Sequence, residues 1–177
     1  VNRTPFGIHV LVGQHHTIFM ADTTVNERPS AELLAEIARE TSAVARRMGH
    51  EPRVAFLSYS TFGNPPGNWL DNIRDAVALL DEEGAEFEYE GEMAPDVALN
   101  MKLMERYPFC RLSGPANVLV MPGLQSANLS AKLLRELLCS VVSVVSHADG
   151  IHLYGCPAER PPVPERGIDH LGIGALP

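Results

Sequence analysis

Hydroxyl and glycine residues that directly follow an apolar segment are suited to binding an anionic oxygen. One such group follows the apolar segment 53–57 and consists of Ser58, Ser60, Thr61 and Gly63. Hydroxyls and backbone N–H groups in this arrangement can donate hydrogen bonds to phosphate or carboxylate oxygens. The alternative role of this group is to turn the chain and to cap the helix that follows. The residue types alone are compatible with both roles.

A second polar group surrounds the apolar segment 116–121. It consists of Ser113, Asn117, Ser126, Asn128 and Lys132. A buried amide needs hydrogen-bond partners, so Asn117 predicts either a structural bracket or a ligand contact. Lys132 either faces a phosphate or belongs to a solvated helix face. We take the two groups together as candidate substrate-binding residues and assign no catalytic residue.

Several familiar motifs do not occur in the sequence. It contains no GxGxxG or GxxxxGK[ST] nucleotide motif, no GxSxG elbow and no HExxH pair. Adjacent residues on a strand point to opposite faces, so His15 and His16 make a poor metal pair. The three cysteines are too scattered for a zinc site or a disulfide framework and indicate a reducing compartment. We therefore predict no metal site and no bound cofactor.

Length, composition and charge restrict the class of protein further. The chain has 177 residues, 45% of them hydrophobic, and a net charge of −8. These values are typical of a globular domain, and the acidic balance argues against binding to a nucleic acid backbone. No apolar run approaches the roughly 20 residues of a membrane helix. We expect a soluble, cytoplasmic protein whose anionic ligands need a local basic pocket, formed by bases such as Arg53, Arg111, Lys132 and Arg135.

The spacing of apolar residues predicts strands that alternate with helices. The predicted strands are 16–21, 53–58, 87–89 and 116–121, and 138–146 is either a further strand or a helix extension. The predicted helices run from Ser30 to about Gly49, over 69–80 and 96–104, and from Ser126 or Asn128 to about 137. Glu92 and Asp96 are interpreted as favourable charges at a helix N-terminus.

This alternation predicts an α/β fold with a mainly parallel sheet and helices on both faces. Ligands of such sheets bind outside the carboxyl ends of the strands. The loops expected there are 22–26, 58–68, 91–96 and 122–128.

Four segments of the sequence also resemble a known family. They are FMADTTVN, RVAFLSYSTFG, FEYEGEMAPDVAL and YPFCRLSGPANVLVMP, at positions 19–26, 53–63, 87–99 and 107–122. In order and spacing they resemble the phosphate acetyl/butyryltransferase family. The form is most similar to the phosphotransacetylase-like C-terminal domain of bacterial NADP-dependent malic enzymes, and the resemblance runs from about residue 16 to residue 137.

The resemblance implies one lobe of a two-lobed fold of the isocitrate/isopropylmalate-dehydrogenase-like, phosphotransacetylase type, in a homodimer or larger homo-oligomer. Its implied reaction converts acetyl-CoA and phosphate into acetyl phosphate and CoA, with acetyl-CoA as substrate or effector and no further cofactor. The alternative that it implies is a non-catalytic acetyl-CoA-sensing and dimerisation module of a malic enzyme. A truncated or frameshifted, non-functional product is a third interpretation.

After Leu137 the sequence departs from the family pattern. The family's later Ser-Arg-Gly…Asp segment, which carries catalytic groups, has no counterpart here. We therefore expect a lead-in at 1–15, a phosphotransacetylase-like lobe at 16–146, and a divergent, loosely ordered, proline-rich tail at 147–177.

Overall fold

Seven β-strands form one mixed sheet in the computed structural model, which describes residues 4–12, 16–138, 141–147 and 150–154. In chain order the strands are β1 Phe6–Val12, β2 Thr17–Ala21, β3 Arg53–Leu57, β4 Glu88–Met93, β5 Val118–Val120, β6 Val141–His147 and β7 Gly150–Tyr154. Across the sheet their order is β4-β3-β5-β2-β1-β6-β7.

The two halves of the sheet differ in strand direction. β4, β3, β5 and β2 run parallel to one another, so their carboxyl ends lie along one edge. β1 pairs antiparallel with β2 and with β6, and β6 pairs antiparallel with β7. The predicted α/β class is confirmed, with the difference that an antiparallel part extends the parallel one. We refer below to the edge formed by the carboxyl ends of the parallel strands as the carboxyl edge.

The helices of the described chain lie between these strands. They are α1 Ala31–Arg47, the 3-10 helix Asn68–Leu70, α2 Asp71–Glu83, α3 Pro95–Leu99, α4 Met101–Met104 and α5 Leu124–Leu138. Ser30 caps α1 as its position predicts, since its side chain accepts a hydrogen bond from the N–H of Leu33. Gly84 ends α2 in the left-handed conformation, at φ 66°. None of the helices in the described residues combines the length and the apolar character needed to cross a membrane.

Helices cover both faces of the parallel strands, as the sequence predicts. On one face, Leu34 of α1 and Leu80 of α2 pack with Phe56 of β3 in a single buried cluster. On the other face, Met104 of α4 and Ala127 of α5 belong to a second cluster. Neighbouring strand residues point to opposite faces, so each of the four parallel strands contributes to both clusters. Burial of a side chain such as Phe56 contributes about 1.5–3 kcal/mol.

Four expectations about the elements need correction. Phe6–Val12, expected in a lead-in, forms β1, because it pairs with β2, the next strand along the chain, and with β6, which is distant in the sequence. β4 continues to Met93, so part of the expected 91–96 loop is strand. The expected 96–104 helix is divided at Asn100, whose extended backbone separates α3 from α4. α5 begins at Leu124, which places Ser126 and Asn128 inside its first turns instead of at its cap.

The chain after α5 continues as sheet. Of the two alternatives for 138–146, the strand is correct, since β6 spans Val141–His147. Gly150–Tyr154 forms β7, within the segment expected to be a loosely ordered tail. Residues 155–177, the rest of that expected tail, lie outside the described residues.

Two hydroxyls inside α1 give a testable consequence of burial. The side chains of Thr41 and Ser42 are buried, and neither hydroxyl has a hydrogen-bond partner among the described residues. Because an unpaired buried hydroxyl stabilises nothing and alanine favours a helix, we expect Ser42→Ala to leave the free energy of unfolding unchanged or raise it by up to about 1 kcal/mol. Thermal unfolding measures this change.

The control variant is Ala38→Ser, which adds a hydroxyl at a fully buried position of the same helix. Burial of a hydroxyl without a partner costs about 1–3 kcal/mol, so this variant is expected to be less stable. A loss of more than about 1 kcal/mol in Ser42→Ala would mean that the serine hydroxyl is paired in the folded protein.

Candidate functional site

A cavity of about 440 Å³ opens at the carboxyl edge of the sheet. The chain forms it from the loops that follow β2, β3 and β5, together with the starts of α2 and α5. Its polar or charged lining consists of Glu27, Arg28, Ser58, Gln125 and Ser126. Its remaining lining consists of Tyr59, Leu70, Ile73, Pro122, Gly123 and Leu129. The cavity therefore offers an apolar surface beside hydroxyl and amide groups, which is the usual composition of a small-molecule site.

A buried carboxylate fixes the 22–26 loop at this edge. Asp22 is only 2% exposed. It accepts hydrogen bonds from the backbone N–H groups of Gly7 at 2.8 Å, Thr24 at 2.9 Å, Val25 at 3.3 Å and Asn26 at 2.7 Å. The Asn26 side-chain amide donates to it as well, at 2.7 Å. A buried charge is tolerated only with such partners, so Asp22 determines the shape of the loop.

The 22–26 loop is tied to the start of α5. The Asn128 side-chain amide donates to the carbonyl of Thr23 at 3.3 Å, and the N–H of Leu124 donates to the carbonyl of Asn26 at 3.0 Å. Ser126 donates its hydroxyl to the carbonyl of Gly123 at 2.9 Å. Asn128 therefore joins two walls of the cavity region, whereas Ser126 lines the cavity itself.

The 58–63 loop directs most of its polar groups inward. Ser60 is fully buried and donates its hydroxyl to Glu92 at 3.1 Å. The Thr61 hydroxyl accepts from the N–H of Ala94 at 3.0 Å, and the Gly63 N–H donates to Glu92 at 2.8 Å. Ser58 differs, because it lines the cavity and its oxygen accepts the Ser60 N–H at 3.1 Å. No acceptor in the described part of the chain takes the Ser58 O–H, which is left available as a donor.

Glu92 is the centre of this loop's hydrogen bonds. Its side chain is 1% exposed and also accepts from Arg74, at 2.8 Å from Nε and 2.9 Å from Nη2. Burial alone raises the pKa of the Glu92 carboxyl, but the hydrogen bonds from Arg74, Gly63 and Ser60 outweigh it and hold the pKa below its ordinary value. Glu92 is therefore a paired, ionised group and not the simple helix-terminal charge that the sequence suggested.

Two of the candidate residues lie away from the carboxyl edge. Asn117 is at the amino end of β5, where its side chain accepts from the Arg53 N–H at 2.7 Å and donates to the Glu51 carbonyl at 2.8 Å. Of its two predicted roles, the contacts are those of the structural bracket. Ser113 is exposed and donates its N–H and hydroxyl to Glu88. Asn117 and Arg53 line a second cavity of about 330 Å³ at this opposite edge.

The structure does not bring Arg53, Arg111 and Lys132 together at one cleft, and the Arg135 side chain lies outside the described part of the structure. Arg53 donates to the Pro115 carbonyl at the amino edge, and Arg111 pairs with Glu90 of the outer strand β4. Lys132 is exposed on α5. Sequence reasoning overlooked Arg28, which lines the cavity.

Other important residues were also missed. The sequence predicts Arg74 only as part of a helix and Asp22 only as the first residue of the 22–26 loop. A charged residue directly after an apolar strand is the one local signal that could have marked Asp22. Among the residues described, no cluster of three or more potential ligands could hold a metal ion.

The parallel strands, the helices on both faces and the cavity at the carboxyl edge define an α/β domain with a candidate ligand site. Residues 4–141 match the family model for Phosphate acetyl/butaryl transferase, and the chain belongs to that family. This confirms the resemblance inferred from the sequence.

The relatives are of two kinds. The chain is 52% identical over 136 residues to the NADP-dependent malic enzyme of Rhizobium meliloti, a match that covers 77% of this chain and 18% of the relative. It is 34% identical over 126 residues to the phosphate acetyltransferase of Clostridium acetobutylicum, covering 70% of this chain and 38% of the relative.

The fold of the chain also matches that of a solved structure. The EutD phosphotransacetylase from Staphylococcus aureus superposes with a TM-score of 0.74 at 28% identity, covering 87% of this chain and 47% of that chain. The chain therefore spans less than half of the length of each of these three proteins.

Proposed function

We propose that this phosphotransacetylase-type domain, related to part of the malic enzymes, binds acetyl-CoA and phosphate in the cavity at the carboxyl edge. One observation carries the proposal: in a member of this family, the cavity sets the Ser58 and Ser126 hydroxyls beside an apolar wall. Hydroxyl donors suit a phosphoryl or acyl oxygen, and the apolar wall suits the organic part of CoA. Arg28 and Glu27 are the charged residues that line the same cavity.

The corresponding reaction is transfer of the acetyl group between CoA and phosphate. The CoA thiolate attacks the carbonyl carbon of acetyl phosphate, the new C–S bond forms, and the C–O bond to phosphate breaks with departure of inorganic phosphate. The tetrahedral intermediate carries a negative oxygen, which hydrogen-bond donors fixed in advance stabilise. Ser58 carries the hydroxyl that is available as a donor in the cavity, whereas the Ser126 hydroxyl already donates to the Gly123 carbonyl. The remaining contribution of this domain is to hold the two substrates together.

The second candidate function is an acetyl-CoA-sensing and dimerisation module of a malic enzyme. It is favoured by the 52% identity to a malic enzyme, and by the donation of the Ser60 hydroxyl and the Gly63 N–H to Glu92, which withdraws these two donors from a ligand. Such a module changes the population of two assembly states by binding acetyl-CoA more tightly in one of them. A homodimer or larger homo-oligomer and a cytoplasmic location are part of both proposals.

Calorimetry and a thiol assay separate these functions. The protein is titrated with acetyl-CoA and with phosphate, and the release of free CoA thiol is followed when both are present. Binding with turnover supports the transferase, and binding without turnover supports the module. Absence of binding to both ligands would overturn the proposed site.

The first site variant to compare is Ser58→Ala. Because it removes one hydrogen-bond donor from the cavity, we expect the Kd for acetyl-CoA or phosphate to rise by roughly threefold to tenfold. The control is Ser113→Ala, which removes an exposed hydroxyl at the opposite end of the sheet and is expected to leave the Kd unchanged. Equal affinities in wild type and Ser58→Ala would remove this hydroxyl from the site.

A further inference from the structure

Strand β4 carries two buried carboxylates, and each is paired with an arginine from another element. Glu90 pairs with Arg111 at 3.2 Å, and Glu92 pairs with Arg74 at 2.8 Å. The two arginine side chains are almost equally exposed, at 42% and 44%, and the glutamates are 8% and 1% exposed. The two pairs are thus alike in chemistry and burial, and they differ in what surrounds them.

The Glu92 pair is connected to the loop at the cavity. Besides Arg74, the Glu92 carboxylate accepts from the Ser60 hydroxyl and the Gly63 N–H, and the Glu92 carbonyl accepts from the Phe62 N–H at 2.9 Å. The Glu92 carboxylate therefore accepts four hydrogen bonds: two from Arg74 of α2 and one each from Ser60 and Gly63 of the loop. The Glu90 pair extends to Asp81 and Tyr89, and within the described residues none of its hydrogen bonds or ion pairs reaches this loop.

The backbone of the loop needs such support. Phe62 has φ 48° and Gly63 has φ 89°, so two consecutive residues are left-handed, one of them bulky and aromatic. A bulky residue keeps this conformation only where surrounding contacts impose it. The hydrogen bonds from Phe62 and Gly63 to Glu92 are among those contacts. Others are the pairing of Thr61 with Asn64 and the packing of the Phe62 ring on Tyr107 and Phe109.

The same loop forms one wall of the cavity. Ser58 and Tyr59 line the cavity, and so do Leu70 and Ile73, the latter directly preceding Arg74 in α2. Arg74 itself does not line it. Through Glu92, however, it connects the α2 side of the cavity to the 58–63 loop.

We propose that Arg74 is a positioning residue for this cavity: through Glu92 it holds the 58–63 loop in the conformation that presents Ser58 to the ligand. The inference rests on the proposed function, because it concerns the affinity of the same site. Arg74 acts on ligand affinity through the loop, whereas Arg111 contributes to stability alone.

The test compares Arg74→Gln with Arg111→Gln, each measured for its Tm and for its Kd with acetyl-CoA by calorimetry. Both variants leave a buried carboxylate short of a partner, so both are expected to lower the Tm. Arg74→Gln is expected to raise the Kd about tenfold, whereas Arg111→Gln leaves it within about twofold of wild type. Arg74→Lys keeps the charge but loses the bidentate geometry, and it is expected to recover part of the affinity.

A double variant shows whether Arg74 acts through Ser58. Contacts that depend on each other are not additive, so Ser58→Ala is expected to have less than half of its wild-type effect on ln Kd in the Arg74→Gln background. Should Arg74→Gln not fold, Arg74→Lys is combined with Ser58→Ala in its place.

The outcomes separate this inference from the proposed function. If wild type binds acetyl-CoA and the two glutamine variants lose affinity equally or not at all, the positioning role is overturned and the proposed function stands. If wild type itself binds neither acetyl-CoA nor phosphate, the proposed function falls and takes the positioning role with it.

Discussion

Asp22→Ala is expected to lose about 3–5 kcal/mol of the free energy of unfolding, because the carboxylate that organises the 22–26 loop disappears. The Gly7 N–H is buried in β1 and loses its acceptor outright, which costs about 1–3 kcal/mol by itself. The N–H groups of Thr24, Val25 and Asn26 are only partly buried, so water replaces some of their lost bonds. The rest of the expected loss in unfolding free energy comes from these three partly buried N–H groups.

Unfolding in urea measures the effect, with Asp75→Ala as the matched control. Asp75 is exposed on α2, and its replacement by a good helix former is expected to change stability by less than about 0.5 kcal/mol. Asp22→Asn keeps one acceptor oxygen, but its amide NH2 group faces backbone N–H donors. Its loss of unfolding free energy is therefore expected to lie between those of Asp22→Ala and Asp75→Ala. A loss below about 1 kcal/mol in Asp22→Ala would show that the loop does not depend on this carboxylate.

Sequence reasoning succeeds here where the determinants are local. Residues 54–57 are an uninterrupted apolar run, and they form the buried part of β3. Ser30 precedes the periodic apolar residues of α1 and caps that helix. Both features depend on residues that are only a few positions apart, so the sequence alone is enough to predict them.

Strand β4 is where the same reasoning is weakest. Its sequence is EYEGEM, and the polar residues predict a short strand followed by a loop. The strand is longer because Arg111 and Arg74 neutralise Glu90 and Glu92 in the folded protein. Their sequence separation from the glutamates is about 20 residues, and no periodic pattern states which arginine reaches which carboxylate.

For the candidate site as well, sequence reasoning predicts the position of the loops but not the orientation of their side chains. Strand order and the rule for parallel sheets predict the loops at the carboxyl edge, and Ser58 and Ser126 do line a cavity there. The sequence does not determine where each hydroxyl points, because Ser58 and Ser60 are residues of the same type, two positions apart in one loop. Ser60 is therefore paired inside with Glu92, although its residue type made it an equal candidate.

The second large effect is expected at Gly123, which closely approaches Glu27 on another loop of the cavity lining. A Cβ at this position would lie 2.5 Å from the carbonyl oxygen of Glu27, a backbone atom that cannot rotate away. The two loops are also held together by the hydrogen bond from Leu124 to Asn26. Relief of the clash therefore breaks or stretches that bond, and Gly123→Ala is expected to cost about 1–3 kcal/mol of stability.

Both Glu27 and Gly123 line the cavity, so the same displacement alters the site. We expect the Kd of Gly123→Ala for acetyl-CoA to rise by more than about tenfold, since a shift of an ångström at a binding site is costly. The matched control is Gly114→Ala, whose Cβ would meet only ordinary contacts, the nearest at 3.5 Å from Arg53. Neither glycine has a positive φ, so backbone strain does not distinguish the two variants. Equal Kd values for both variants would place the ligand elsewhere than between Glu27 and Gly123.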